Sequence, residues 1–229
     1  MDKLLEAVAD LKIGGTKKEE AEFQVYIKKS LAELRVEELE ILKELGAHHQ
    51  RSLKHSIMVT WDTEYIARRL NLPEETILSL KIAALLHDIG KLDVHEAIID
   101  LANAFPIWKK HHPLEERPKG NPLLFITLRQ VIEFQAEHSD NPTQYQQDFF
   151  DWLRERRLLK HLDKPAWDHI KNHQDKTKKM LSKLGVKPKI LEYAASHHPL
   201  YFSETKRKKL APECAIIEVA DKFNAMIHS

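Results

Sequence analysis

The run Ala83-Ala84-Leu85-Leu86-His87-Asp88-Ile89-Gly90-Lys91 constrains this chain most, because it sets an imidazole beside a carboxylate at the end of an apolar helix. Pro73 opens that helix at Glu74. Ile77, Leu80, Ile82, Ala83, Leu85 and Leu86 then leave almost no face for solvent, so Glu74 to Leu86 has to be buried nearly all round. An ionised Asp88 in such a place costs several kcal/mol unless something compensates. A metal cation fits, since His and Asp are natural ligands. The bland alternative is a neutral core histidine next to an aspartate capping a turn. What separates the two is whether other ligands sit on inward faces.

They do. His55 is in register with Val59, Ile66 and Leu70, a spacing that makes one helical face. His173 falls on the stripe Ile170, Thr177, Leu181 and Leu184, in a helix closed by Gly185 and by Pro188 just beyond. His197 follows Ile190 and Ala194, and His198 follows Leu191 and Ala195. Asp221 shares a face with Cys214, Ile217 and Ala225, and the opposite face of its helix is apolar too. Each alone reads as a satisfied core residue. Together with His87 and Asp88, on apolar faces of predicted helices, they read as one shared metal site. Five imidazoles and two carboxylates are too many for one ion and suit two. Such a set disfavours magnesium and suits manganese, iron, cobalt, nickel or zinc.

Strand-like alternation is hard to find elsewhere, so the chain reads as all-α. Leu4, Leu5, Val8 and Leu11 make a short amphipathic helix broken at Gly14-Gly15. Thr16 followed by Glu19 is a capping box, and from it a long helix with Phe23, Ile27, Leu31 and Leu34 on one face runs to near Gly46. Residues 1–46 are thus an N-terminal helical segment that packs on the core; the alternative is a signalling or dimer helix, which would make a homodimer. Residues 101–160 hold a loop punctuated by Pro106, Pro113, Pro118 and Pro122, then a helix near Leu123 to Glu137. Asn141-Pro142 opens a second helix, with Tyr145, Phe149, Trp152 and Leu153 on one side and Arg154, Arg156, Arg157 and Lys160 nearby. This region is either a lid over the site or a surface hairpin. His111-His112, among Lys109, Lys110, Glu115, Glu116 and Arg117, reads as a solvated loop rather than a second metal site.

Composition closes off other classes. The net charge of +1 offers no global attraction for nucleic acid. One cysteine, Cys214, excludes an intramolecular disulfide framework and suits a reducing cytoplasm. The start, with Asp2 and Glu6, is not a secretory signal, and no run of ~20 apolar residues predicts a membrane span.

The order His55, His87-Asp88-x-x-Lys91, His173, His197-His198, Asp221 resembles the HD superfamily of metal-dependent phosphohydrolases, and within it the HD-GYP branch. Leu162 to His173 is similar in length and apolar pattern to that branch's LTPEEWEIIKTH segment, and Val219 to Met226 to its vaDvFdAm ending. The resemblance spans about 50 to 100 and 160 to 227, and implies an HD-domain helical bundle over 47–229 with an inserted helical region at about 101–160. Two departures bear on the substrate. After His198 the branch has Glu and a glycine-rich GYP loop, whereas Pro199 to Thr205 and Lys206-Arg207-Lys208-Lys209 contain no glycine. Arg51 stands where some members carry a Glu, which argues against a third metal.

The resemblance implies two divalent transition-metal ions, iron or manganese by family habit. His55, His87, Asp88 and Asp221 hold one; His173, His197 and His198 hold the other; Asp88 and a hydroxide bridge them. That hydroxide attacks phosphorus without a separate general base. Asp88 and Lys91 are then the catalytic pair, with Lys91 reaching a phosphate as a point charge. Its bland alternative is a solvated lysine that favours the helix dipole. Lys206 and Arg207 are candidate substrate contacts, or else part of a solvated charge run before Pro212; with only Tyr201 and Phe202 near them, the patch is too small to suggest nucleic acid. The expected function is a metal-dependent phosphohydrolase, phosphodiesterase or phosphomonoesterase, on a nucleotide or cyclic dinucleotide. The alternative is a catalytically weak HD-type signalling or scaffold protein that retains the metal site.

Overall fold

In the computed structural model, residues 2–9, 11, 16–99, 124–198 and 210–228 are described. In chain order they form α1 (Asp2–Ala7), α2 (Lys17–Ala32), α3 (Val36–His48), α4 (Gln50–Arg69), α5 (Glu74–Leu86), a 3-10 turn (Ile89–Asp93) and α6 (Glu96–Ile99). Then come α7 (Leu128–Glu137), α8 (Pro142–Glu155), a 3-10 turn (Leu159–His161), α9 (Trp167–Ile170), α10 (His173–Lys183), α11 (Pro188–Ala194) and α12 (Cys214–His228). Among the described residues no strand occurs and the fold is all-α; Thr127 and Pro165 make one isolated β-bridge. None of the described helices is long and apolar enough to cross a membrane.

The chain divides into two compact units, Met1–Asp93 with His173–Ser229, and Val94–Asn172. In the first, α5 is the most deeply buried helix, with Thr76, Ile77 and everything from Ser79 to Leu86 inside. Burying each large aliphatic side chain stabilises by roughly 1.5–3 kcal/mol, and Leu80, Leu85 and Leu86 are at most 1% exposed. Lys81 is buried on the same helix; its ammonium lies 2.8 Å from Glu33 and 3.0 Å from Glu64.

At the N-terminus, Thr16 and Glu19 form the expected capping box. The single helix expected from Thr16 to Gly46 is instead two. The Arg35 N–H donates to the Glu38 carboxylate at 2.9 Å and starts α3, while Glu33, just past α2, turns its carboxylate to Lys81. Gly46 lies inside α3, where an added Cβ would meet Leu53 of α4 at 2.7 Å, so it marks a close helix approach rather than a stop. Gly185, at φ +63°, closes α10, and Pro188 opens α11.

The second unit has its own core, built on Val94, Ile98, Ile126, Leu128, Val131, Phe149, Leu153 and Ile170. Thr127 caps α7 reciprocally with Gln130, and the Asn141 side chain caps α8 with Pro142 in its first turn. Tyr145, Phe149, Trp152 and Leu153 all serve this core. The prolines at 106, 113, 118 and 122, His111-His112, Gly14-Gly15 and the stretch from Pro199 to Lys209 lie outside the described residues.

Candidate metal centre

All seven predicted ligands belong to the first unit and converge. Helix α4 presents His55, whose Nε2 is 2.8 Å from Asp221 Oδ1 on α12. His87 is the C-cap of α5, and His197 and His198 lie just beyond α11. His87 stands where it was expected, at the end of its helix, whereas His197 and His198 were expected on a helical face and the chain places them past the helix end. The consequence is chemical. At such ends carbonyls lack partners within the helix, and His87 Nδ1–H donates to the Ala84 carbonyl at 2.8 Å while His197 Nδ1–H donates to the Ala194 carbonyl at 2.7 Å. Each bond fixes Nδ1 as the donor and turns the other ring nitrogen toward the cluster, where it offers a lone pair when the ring is neutral.

Asp88 stands in the middle. Its Oδ2 lies 3.4 Å from His87 Nε2, and its Oδ1 lies 3.5 Å from His173 Nε2 and 4.0 Å from His197 Nε2. The Lys91 ammonium is 2.5 Å from Oδ2. His198 Nδ1 lies 3.6 Å from Asp221 Oδ2. Three groupings bring their ligand atoms within 4.8 Å of one another: His173 with His197 and His198, His55 with His87 and Asp221, and His87 with Asp88 and His197.

A metal suits this set. His87 Nε2 is buried and has no hydrogen-bond partner, and its nearest carboxylate oxygens, at 3.4 and 3.7 Å, are too far to bond it. The Nε2 atoms of His173 and His197 face each other at 3.0 Å. Two nitrogens each ~2.1 Å from one ion stand ~3.0 Å apart in octahedral and ~3.4 Å apart in tetrahedral coordination. The cluster can therefore hold metal ions.

Electrostatics agree. Burial, with the neighbouring imidazoles, drives His197 well below its ordinary pKa and pushes His198 down to about 3, so both are neutral donors at pH 7. Burial works against charge on Asp88, yet His87, Lys91, His173 and His55 hold it well below the usual carboxylate range. Asp221 is likewise held down against burial by His55 and His87. On His87 burial opposes the proton, and the Asp88 and Asp221 charges outweigh it and raise its pKa.

Three supporting residues were not singled out by sequence reasoning. The Asn224 Oδ1 accepts from His55 Nδ1 at 3.0 Å, one turn after Asp221 on the same face. Thr177 bonds the His87 carbonyl, and Gly90 gives α10 room to approach. The signal for Asn224 was its spacing of three from Asp221; Thr177 read as an ordinary stripe residue. Lys206 and Arg207 lie outside the described residues.

An all-α frame that gathers five imidazoles and a second carboxylate about one buried aspartate has the make-up of a helical metalloprotein. Residues 52–156 match the family model of the HD domain, a family typically of metal-dependent hydrolases, and the match supports the HD superfamily of metal-dependent phosphohydrolases. That match contains His55, His87, Asp88 and Lys91 and ends before His173, so geometry alone joins the later ligands to it. No curated protein and no solved structure gave a significant match.

Proposed function

We propose that the chain is a metal-dependent phosphohydrolase with a two-ion centre, acting on a nucleotide or cyclic dinucleotide phosphoester. The observation that carries this reading is the split orientation of Asp88: one carboxylate oxygen faces His87, the other faces His173 and His197. His55, His87, Asp88 and Asp221 would hold one ion, and His173, His197 and His198 the other, with Asp88 between them. When bound, such ions supply Lewis acidity and make water a nucleophile near neutral pH.

The chain's own residues do the rest. Asn224 and the Ala84 and Ala194 carbonyls hold three imidazoles in fixed orientation. Lys91, 17% exposed at the side chain, balances Asp88 and offers its ammonium to a phosphoryl oxygen. The ligand order is that of the HD-GYP branch, and the glycine-free loop after His198 favours a substrate pocket unlike that branch's. The lone Cys214 fits a reducing cytoplasm.

The test is a screen of the manganese- or iron(II)-loaded protein against cyclic dinucleotides, nucleotides and a generic bis-aryl phosphodiester. Turnover of one class is expected. No turnover by a protein that holds two ions would replace this reading with that of an HD-type scaffold.

A further inference from the structure

The Thr177 hydroxyl is fully buried, and both its hydrogen-bond partners belong to the backbone that carries His87 and Asp88. It donates to the His87 carbonyl at 2.9 Å and accepts the Gly90 N–H at 2.9 Å. Thr177 lies one helical turn after His173, so the two side chains leave the same face of α10. One hydroxyl thus ties the turn that bears His87 and Asp88 to the helix that bears His173. The contact is close: a Cβ on Gly90 would stand 1.9 Å from the His173 carbonyl oxygen and 2.7 Å from the Thr177 backbone nitrogen. Apolar packing alone would hold these elements together without setting their register, whereas a pair of hydrogen bonds is directional.

We propose that Thr177 is a positioning residue, whose hydroxyl sets the separation between the His55–His87–Asp221 and His173–His197–His198 groups and so whether two ions sit as a coupled pair. The inference rests on the two-ion reading above. Thr177 touches no ligand atom; it acts through the backbone of His87 and Gly90. Thr177→Val keeps the volume and removes both bonds, leaving a buried carbonyl and a buried amide without partners. The turn then relaxes against α10, and Asp88 no longer faces both groups.

The experiment titrates metal-free wild type and variants with Mn(II), read by calorimetry and by electron paramagnetic resonance. Wild type should take up two ions with an exchange-coupled spectrum. Thr177→Val should bind one ion with near wild-type affinity and the second ~10-fold or more weakly, as loss of an outer-shell support does, with the spectrum of isolated ions. Thr177→Ser, which keeps the hydroxyl, should restore affinity and coupling. A less stable Thr177→Val that still binds two coupled ions at wild-type affinity overturns the inference alone. A wild type that takes up a single ion overturns the two-ion reading and this inference with it. Should Thr177→Val fail to fold, Thr177→Cys, whose thiol bonds weakly in a similar volume, decides by the same criteria.

Discussion

Asp88 serves several partners with one carboxylate: Lys91 and His87 at one oxygen, His173 and His197 at the other. Because it is buried, none of those partners is dispensable. If the proposed two-ion centre is right, Asp88→Ala should lose both ions, which elemental analysis after loading with manganese and gel filtration would reveal; retention of two metals would deny Asp88 the proposed bridging role. Gly90 is constrained by space instead. A Cβ 1.9 Å from a backbone oxygen cannot be absorbed by a rotamer change, so α10 or the turn has to move. Gly90→Ala should lower stability by about 1–3 kcal/mol and reduce metal uptake. The urea midpoint checks this, and a wild-type midpoint with full metal content would show that the two elements are not locked together.

Among the helices, Lys81 shows how the N-terminal segment is held. The segment's Glu33 and the Glu64 of α4 both reach this one ammonium on α5, with the Tyr26 ring 5.4 Å away. Burial works against the Glu64 charge, but Lys81 and Arg68 outweigh it and keep the carboxyl below its ordinary pKa. Burial also pushes the Tyr26 phenol up, so it stays neutral. Removing one partner of a buried pair costs about 3–5 kcal/mol, while replacing the set by apolar or neutral groups is often nearly neutral. Glu33 is partly exposed, so the low end applies here. Lys81→Met should therefore destabilise strongly, and adding Glu64→Gln should recover part of the loss; thermal melts of the single and double variants test it, and additive losses would refute it. Helix α12 has two unlike faces. Asp221 and Asn224 face inward, whereas Val219, Phe223 and Met226 on the second apolar face are 56%, 53% and 80% exposed.

For the molecule as a whole, pH ties the site to stability. The folded chain keeps His198 unprotonated down to about 3, against an ordinary value of 6.5, and His197 shifts the same way. Between those values the unfolded chain binds protons that the folded chain refuses, so acidification through that window destabilises. His87 runs the other way: its stabilisation is full below 6.5 and is lost as pH rises through its raised folded value. Asp88 and Asp221 stay ionised throughout, so their contributions hold. Two imidazoles outweigh one, and the metal-free protein should be less stable at pH 5 than at pH 7. Urea midpoints in chelator at both values decide it. On the substrate side, neutralising Lys206, Arg207, Lys208 and Lys209 should raise KM for a phosphorylated substrate at low salt with kcat and metal content nearly unchanged. A KM indifferent to ionic strength would return the segment to a solvated charge run.

The residues of the candidate cluster were legible because each is a polar residue set into an apolar pattern of helical period, and period survives in a sequence without its fold. The same holds for the caps at Thr16, Asn141 and Gly185, which are local events written in adjacent residues. Legibility failed where the partner is remote. The break at Glu33 involves a lysine 48 positions away, Asn224 meets His55 across 169, and Thr177 reaches His87 across 90. Placing His197 and His198 beyond a helix rather than on it likewise depended on where α11 gives way. Periodicity reports which way a residue points relative to its own helix; which carbonyl, hydroxyl or carboxylate it meets there is set by how the helices pack.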